Sequence, residues 1–321
     1  MLLVVALASS DAASLTIGEW DLLTRREQVL FEDPAHPLID RLRAHGVSAG
    51  PFDDEPQADD DKRALVADPA SDRIVELARG GAEVAAGPGR GPDPMTVAYG
   101  APVARRAAGS LGTLTQVMAR LRGADGCPWD QEQTHESLRV HLIEEAYEVL
   151  DAIDRGEVGA DLEEELGDVL LQVFFHAQLA SEEGRFDVGT VAERLVAKLL
   201  HRHPHVFGET VVADAGEVVR NWESIKAGEK DRSGPFEDVP AGLPALLYAY
   251  KMQKRAAALG FVADEAGAIE EANRALEALR SDGSPAALGA ALFWLVALAR
   301  ARGVDPEGAL RSETNRFRDT F

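Results

Sequence analysis

Two stretches decide how this chain is read: "LIEEAYEVL", Leu142 to Leu150, and "LEEELGDVL", Leu162 to Leu170. Each runs Leu-x-Glu-Glu-x-x-acid-Val-Leu. At about 100° per residue, Ala146, Val149, Leu150 and Ile153 join Leu142 in one apolar stripe, with Glu145 at its edge and Glu148 just beyond. Leu162, Leu166, Val169, Leu170 and Val173 repeat the stripe, and Glu165 and Asp168 repeat the edge. Joined by the "DRGEVGAD" turn, the two segments are expected to form an antiparallel helix pair that buries its stripes and lines one seam with four carboxylates.

From Glu144 to Asp168 the chain carries eleven acidic residues and one basic residue, Arg155. Like charges three or four apart weaken a helix by roughly 0.2–0.5 kcal/mol per pair, so something must offset them. A solvated acidic face accounts for one such helix. A second in the same phase points to a hard divalent cation, since Mg²⁺ is held by a few carboxylates together with water and substrate phosphates.

The whole chain narrows the choice of partner. It has 321 residues, 45% of them hydrophobic, and a formal charge of -22. That is ample for a buried core and a prior for more than one domain. The charge disfavours nucleic acid and anionic membrane but admits an anionic ligand that arrives with divalent cations. A single cysteine, Cys127, excludes an internal disulfide framework and fits the cytoplasm. No apolar run reaches the roughly 18 residues of a membrane span. The opening "MLLVVALASS" reads as a buried strand rather than a signal peptide, because it lacks a basic lead.

Organisation follows composition. Residues up to about 86 mix strand-like and helix-like text. Residues 87–109, with "GPGRGPDP" and "GAPVARRAAGS", read as linker. From Leu111 onward every periodic segment is helical, which predicts a bundle. The domains expected are therefore 1–109, 110–261 and 262–321.

"EEAYE" followed by "ELGD" resembles the EExxE and ExxD signature of the MazG family of nucleoside triphosphate pyrophosphohydrolases. The resemblance spans about Leu111 to Phe261 and includes "GCPWDQEQTHESL", "EEGRFD", "HRHPHVFGE", "NWESIK" and "LPALLYAYKMQKRAAALGF". It implies a mainly all-α, four-helix-like, dimeric enzyme that uses Mg²⁺, with Mn²⁺ as a substitute, to split (d)NTPs into monophosphate and pyrophosphate. By motif position the metal ligands are Glu145, Glu148, Glu165 and Asp168, with Glu144 as a further ligand or water-orienting base. Such hydrolysis needs charge neutralisation and a positioned water, not a covalent nucleophile, so Cys127 is assigned to packing or to the turn.

Cations for phosphate have to come from outside the acidic pair. Lys198 and Arg202 lie in "KLLHRHPHVF", and Trp222 and Lys226 stand one turn apart in "NWESIK", where an indole and an ammonium can share a pocket. Trp129 in "CPWD" is a further nucleotide-binding candidate, and packing is the plain alternative both for it and for Trp222. His201, His203 and His205 straddle Pro204, which breaks the helix, so capping or phosphate contact is expected of them rather than transition-metal ligation.

Both ends of the chain look inactive. "IEEANRALEAL" aligns with "IEEAYEVLDAI" and "AALGAALFWLV" with "EELGDVLLQVF", which sets Arg274 against Glu148, Ala287 against Glu165 and Ala290 against Asp168. The tail from residue 262 thus reads as a degenerate second unit of the same kind. At the front, "LLVVALASSDAASLTIGEWDLLTRREQVLF", then "HPLIDRLRAHGV" and "ELARGGAEVAAGPG", resembles the start of a tetrapyrrole (SAM-dependent) methylase domain, but "ALASSDA" has no glycine where that family has a Gly-rich loop. A small degenerate α/β region without activity is expected there. Two other functions stay open: hydrolysis of another nucleotide, such as phosphoribosyl-ATP or guanosine tetraphosphate, and a non-enzymatic acidic metal-binding adaptor.

Overall fold

The computed structural model describes every residue except 53–55, 90, 230–233, 235, 238, 258, 262, 319 and 321. The first and last residues of the expected tail unit, 262 and 321, fall outside the described residues.

The chain opens with an α/β layer: β1 (Leu3–Ala6), α1 (Ile17–Thr24), β2 (Gln28–Phe31), α2 (Leu38–Ala44), β3 (Ser48–Pro51), β4 (Arg63–Ala67), α3 (Asp72–Arg79) and β5 (Glu83–Ala85). All ladders are parallel, in the order β3-β2-β4-β1-β5. β1 (LVVA) and the VLF and ALVA of β2 and β4 read as unbroken apolar runs because both faces of these strands are covered. Val4, Ala6, Leu65 and Ala67 pack with Ile74 and Ala78 of α3. Leu3, Val5, Val29, Phe31 and Val66 pack on the opposite face with Leu23 of α1 and Leu38 and Leu42 of α2. The region is therefore a small five-stranded parallel sheet, as expected of the front, with a core on each face.

The β1 and β4 connections leave in opposite directions, and in open α/β sheets ligands bind at such a switch point, beyond the carboxyl ends of the strands. Here the chain's own side chains occupy that edge. Ser9 donates its hydroxyl to Asp33. Glu32 accepts from the Ser71 hydroxyl at 2.8 Å and the Asp68 N–H at 3.0 Å.

The stretch 87–109 is not a linker beyond its first few residues. Residues 94–122 form one helix, α4 (Pro94–Arg122), started by the Asp93 carboxylate, which accepts the Thr96 N–H at 2.9 Å. Alanine, the best helix former, outweighs Gly100 and Pro102, and docking supplies the rest. Ala98 and Ala101 of α4 pack on the sheet, while Met118 joins Leu138, Phe175 and Leu179 in a separate core. Arg105 anchors the helix: its guanidinium bonds buried Glu19 at 2.6 and 3.2 Å and also the Ala6 and Ser14 carbonyls.

The helical text continues as expected: α5 (Pro128–Glu132), α6 (Arg139–Arg155), α7 (Ala160–Glu182), α8 (Val188–Arg202), α9 (Pro204–Phe207), α10 (Ala215–Gly228), α11 (Ala245–Ala257), α12 (Glu265–Asp282), α13 (Pro285–Ala301) and α14 (Pro306–Arg318). No single described helix is long and apolar enough to cross a membrane. Two compact units result, one of Met1–Tyr147 with Glu164–Val191, the other of Glu148–Glu163 with Ala192–Phe321. In the second, α12 and α13 form a tight hairpin, and buried Gln253 of α11 donates its amide to the Phe293 carbonyl at 2.8 Å.

Candidate active site

Both expected helices form, and their acids converge. Glu145 and Glu148 stand one turn apart on α6 and Glu165 on α7, each offering a carboxylate oxygen within 4.8 Å of the others. Asp168 lies one turn beyond Glu165, outside that set of three. Glu144 is exposed and meets the His141 ring at 3.1 Å instead of joining the cluster. Three oxygen donors brought this close repel one another in the absence of a cation, and their chemistry fits a hard divalent ion such as Mg²⁺ rather than a soft one.

The apolar stripes behave differently from expectation. Leu142 remains 40% exposed, Leu150 39%, Leu166 51% and Val173 39%. The buried part of α7 is its second half, with Phe174, Phe175, Ala177, Leu179 and Ala180. An antiparallel pair alone covers one line of side chains, so a stripe this wide has apolar area left over.

Contacts the sequence reading missed fix α7 in place. Arg122, at the end of α4, clamps Glu182 with Nε at 2.8 Å and Nη2 at 2.7 Å, and lies over the Phe175 ring. That hydrogen bond chiefly holds the Glu182 carboxyl below its usual range. His135 and His176 share a hydrogen between their Nδ1 atoms at 2.8 Å, in parallel planes with centroids 5.0 Å apart. That separation is what two rings meeting nose to nose in one plane give, so the bond is straight and fixes opposite tautomers in the two rings. Burial, and then the charge of His135, press the His176 pKa down. The signal in the text was a histidine on α7 eleven residues after Glu165, three turns along the same face.

The "GCPWD" turn owes its glycine to close backbone approach. A Cβ on Gly126 would sit 2.0 Å from the Leu121 carbonyl oxygen, while the following Cys127 N–H bonds that same oxygen at 2.7 Å. Trp129 is half exposed, with ring neighbours His141 at 6.0 Å and Phe175 at 6.5 Å.

The cationic candidates on α8 and α10 are partly engaged. Lys198 is exposed. Arg202 lies over the Trp222 ring at 5.3 Å and is gripped by Glu229. His203 caps α8 through the Leu199 carbonyl at 2.7 Å and meets Trp222 edge-on at 5.0 Å. Lys226, one turn beyond Trp222, is half buried. In the tail, Arg274 bonds Glu271 at 2.6 Å and Glu270 at 3.2 Å, so a guanidinium sits among the two surviving acids.

A mainly helical protein whose clustered carboxylates suit a divalent cation is thus the class that fold and site define. A family model described as the MazG nucleotide pyrophosphohydrolase domain matches residues 133–207. The Thermotoga maritima protein named nucleoside triphosphate pyrophosphohydrolase/pyrophosphatase MazG is 44% identical over 65% of this chain and 82% of its own. The Escherichia coli nucleoside triphosphate pyrophosphohydrolase is 41% identical over 66% of this chain and 85% of its own. A solved structure of a mazG-related protein from Thermotoga maritima covers 36% of this chain and 98% of its own at 29% identity, with a TM-score of 0.31. The chain belongs to the MazG family.

Proposed function

We propose that the chain hydrolyses (d)NTPs, with water cleaving the α–β phosphoanhydride to leave a nucleoside monophosphate and pyrophosphate, and that Mg²⁺ is required. The convergence of Glu145, Glu148 and Glu165 carries this reading. These three would hold the cation, with Asp168 one turn away as a fourth donor. When bound, the cation neutralises phosphate charge and lowers the pKa of a coordinated water. Glu144, one residue before Glu145 and in contact with His141, would accept a proton from the attacking water. Lys198, Arg202 and Lys226 are the phosphate contacts, and Trp222 and Trp129 the aromatic surfaces for the nucleoside.

The exposed apolar stripe of α6 and α7 supports a homodimer, because a second copy's hairpin would complete a four-helix arrangement and bury Leu142, Leu150 and Leu166. The α/β layer and the α12–α13 hairpin are assigned as non-catalytic parts. Pyrophosphate release from dNTPs tests the whole reading. Release that depends on Mg²⁺ and is lost in Glu165→Gln supports it, and a purified, folded protein that releases none overturns it.

A further inference from the structure

Glu229 carries an inference that rests on the reading of Arg202 as a phosphate contact. It follows the end of α10 and reaches the last turn of α8. One carboxylate oxygen accepts the Arg202 Nε–H at 3.0 Å and contacts His201 Nδ1 at 3.2 Å; the other accepts from Arg202 Nη2. The arginine side chain is 14% exposed and the glutamate 24%. Beneath the guanidinium lies the Trp222 ring at 5.3 Å, itself steadied edge-on by His203.

Guanidinium geometry gives this arrangement a direction. The group is planar with five donors in fixed positions, and Glu229 takes the edge formed by Nε and Nη2. The other edge, formed by Nη1 and the second Nη2 hydrogen, points away from Glu229 in the same plane, and Trp222 sets the tilt of that plane. A phosphate can therefore bind this second edge without displacing the carboxylate. An arginine on a free stem would first have to be ordered by its ligand, at a cost in rotamer freedom.

We propose that Glu229 is a positioning residue for substrate binding: it orders Arg202 over Trp222 so that the outer guanidinium edge is presented to a substrate phosphate. The contact exists before and throughout the reaction, so it acts on binding more than on the chemical step. Removing the carboxylate restores rotamer freedom to Arg202 and raises KM roughly tenfold, with kcat little changed.

The test is a cycle of Glu229→Ala, Arg202→Ala and the double variant, with KM and kcat for dATP and the inhibition constant of inorganic pyrophosphate measured for each. Glu229→Gln, which keeps one acceptor oxygen, should fall between wild type and Glu229→Ala. In the Arg202→Ala background, deleting Glu229 should change KM no further, because its effect passes through the arginine. Three results would overturn the proposal. A lower KM in Glu229→Ala would make the carboxylate a competitor of phosphate; an unchanged KM would deny it any part in binding; an equal loss in both backgrounds would make it a tie between α8 and α10 only. If Arg202→Ala itself leaves KM and pyrophosphate inhibition unchanged, the underlying assignment of Arg202 fails, and that outcome is distinct from the other three.

Discussion

Replacing Arg105 by methionine should destabilise the first unit severely, and the structure gives the scale. Glu19 is 3% exposed and its carboxylate accepts five hydrogen bonds: two from Arg105 at 2.6 and 3.2 Å, one from the Gly87 N–H at 2.9 Å, one from the Thr16 N–H at 2.8 Å and one from the Thr16 hydroxyl at 2.9 Å. Burial pushes the Glu19 pKa up, yet the Arg105, Thr16 and Gly87 hydrogen bonds outweigh it and hold the carboxyl below its usual range. Without Arg105 a buried carboxylate loses its counter-charge, which costs about 3–5 kcal/mol in such sites. The Ala6 and Ser14 carbonyls lose their donor as well. At about 2–4 °C per kcal/mol for a unit of this size, the melting point should fall by roughly 6–20 °C. Calorimetry and urea denaturation read it directly. The double variant Glu19→Leu with Arg105→Met removes both charges and should recover most of the loss. A loss below about 1 kcal/mol in the single variant would place the pair with ordinary surface bridges and refute the reasoning.

Other outcomes follow from single contacts. Gly126→Ala should cost roughly 1–3 kcal/mol, since its Cβ would press on the backbone oxygens of Leu121 and Arg120, which cannot move aside; an unshifted urea midpoint would contradict this. Acidification should weaken the fold before the carboxylates titrate. His36 and His176 have pKa values lowered chiefly by burial, so near pH 6.5 the unfolded chain binds more protons than the folded one. That part of the stability is complete above about pH 6.5 and lost as pH falls towards the folded pKa values; an equal or higher urea midpoint at pH 5.5 than at pH 7.5 would refute it. Glu148→Gln removes one of three converging oxygen donors and should weaken Mn²⁺ binding at least about tenfold, measurable by titration calorimetry. Unchanged Mn²⁺ affinity would separate Glu148 from the cation site.

Much of this could be read before any coordinates. Helical periodicity from Leu111 onward and the doubled acidic phase marked α6, α7 and a seam of four carboxylates, of which Glu145, Glu148 and Glu165 stand together and Asp168 lies outside the set. Two features were misread for physical reasons. The Gly, Pro and Arg in residues 94–109 look like linker, yet alanines at docking positions such as Ala98 and Ala101 let α4 lie close on the sheet. The stripe led by Leu142 and Leu166 was expected to be buried by the hairpin itself, whereas one chain leaves it open. The Arg122–Glu182, His135–His176 and Arg202–Glu229 contacts join residues 27 to 60 positions apart, and no local periodicity encodes such pairings.

The central claim is that the carboxylates of α6 and α7 hold the cation that makes triphosphate hydrolysis possible. Its most direct test is pyrophosphate release from dATP, measured with Mg²⁺, with chelator, and in Glu165→Gln confirmed folded by its melting point. The expected result is turnover with Mg²⁺, none with chelator, and a loss of at least about 100-fold in the variant, beyond the 10–100-fold typical of groups that only support a metal ligand. Turnover in Glu165→Gln equal to wild type, at the same Mg²⁺ concentration, would contradict the claim.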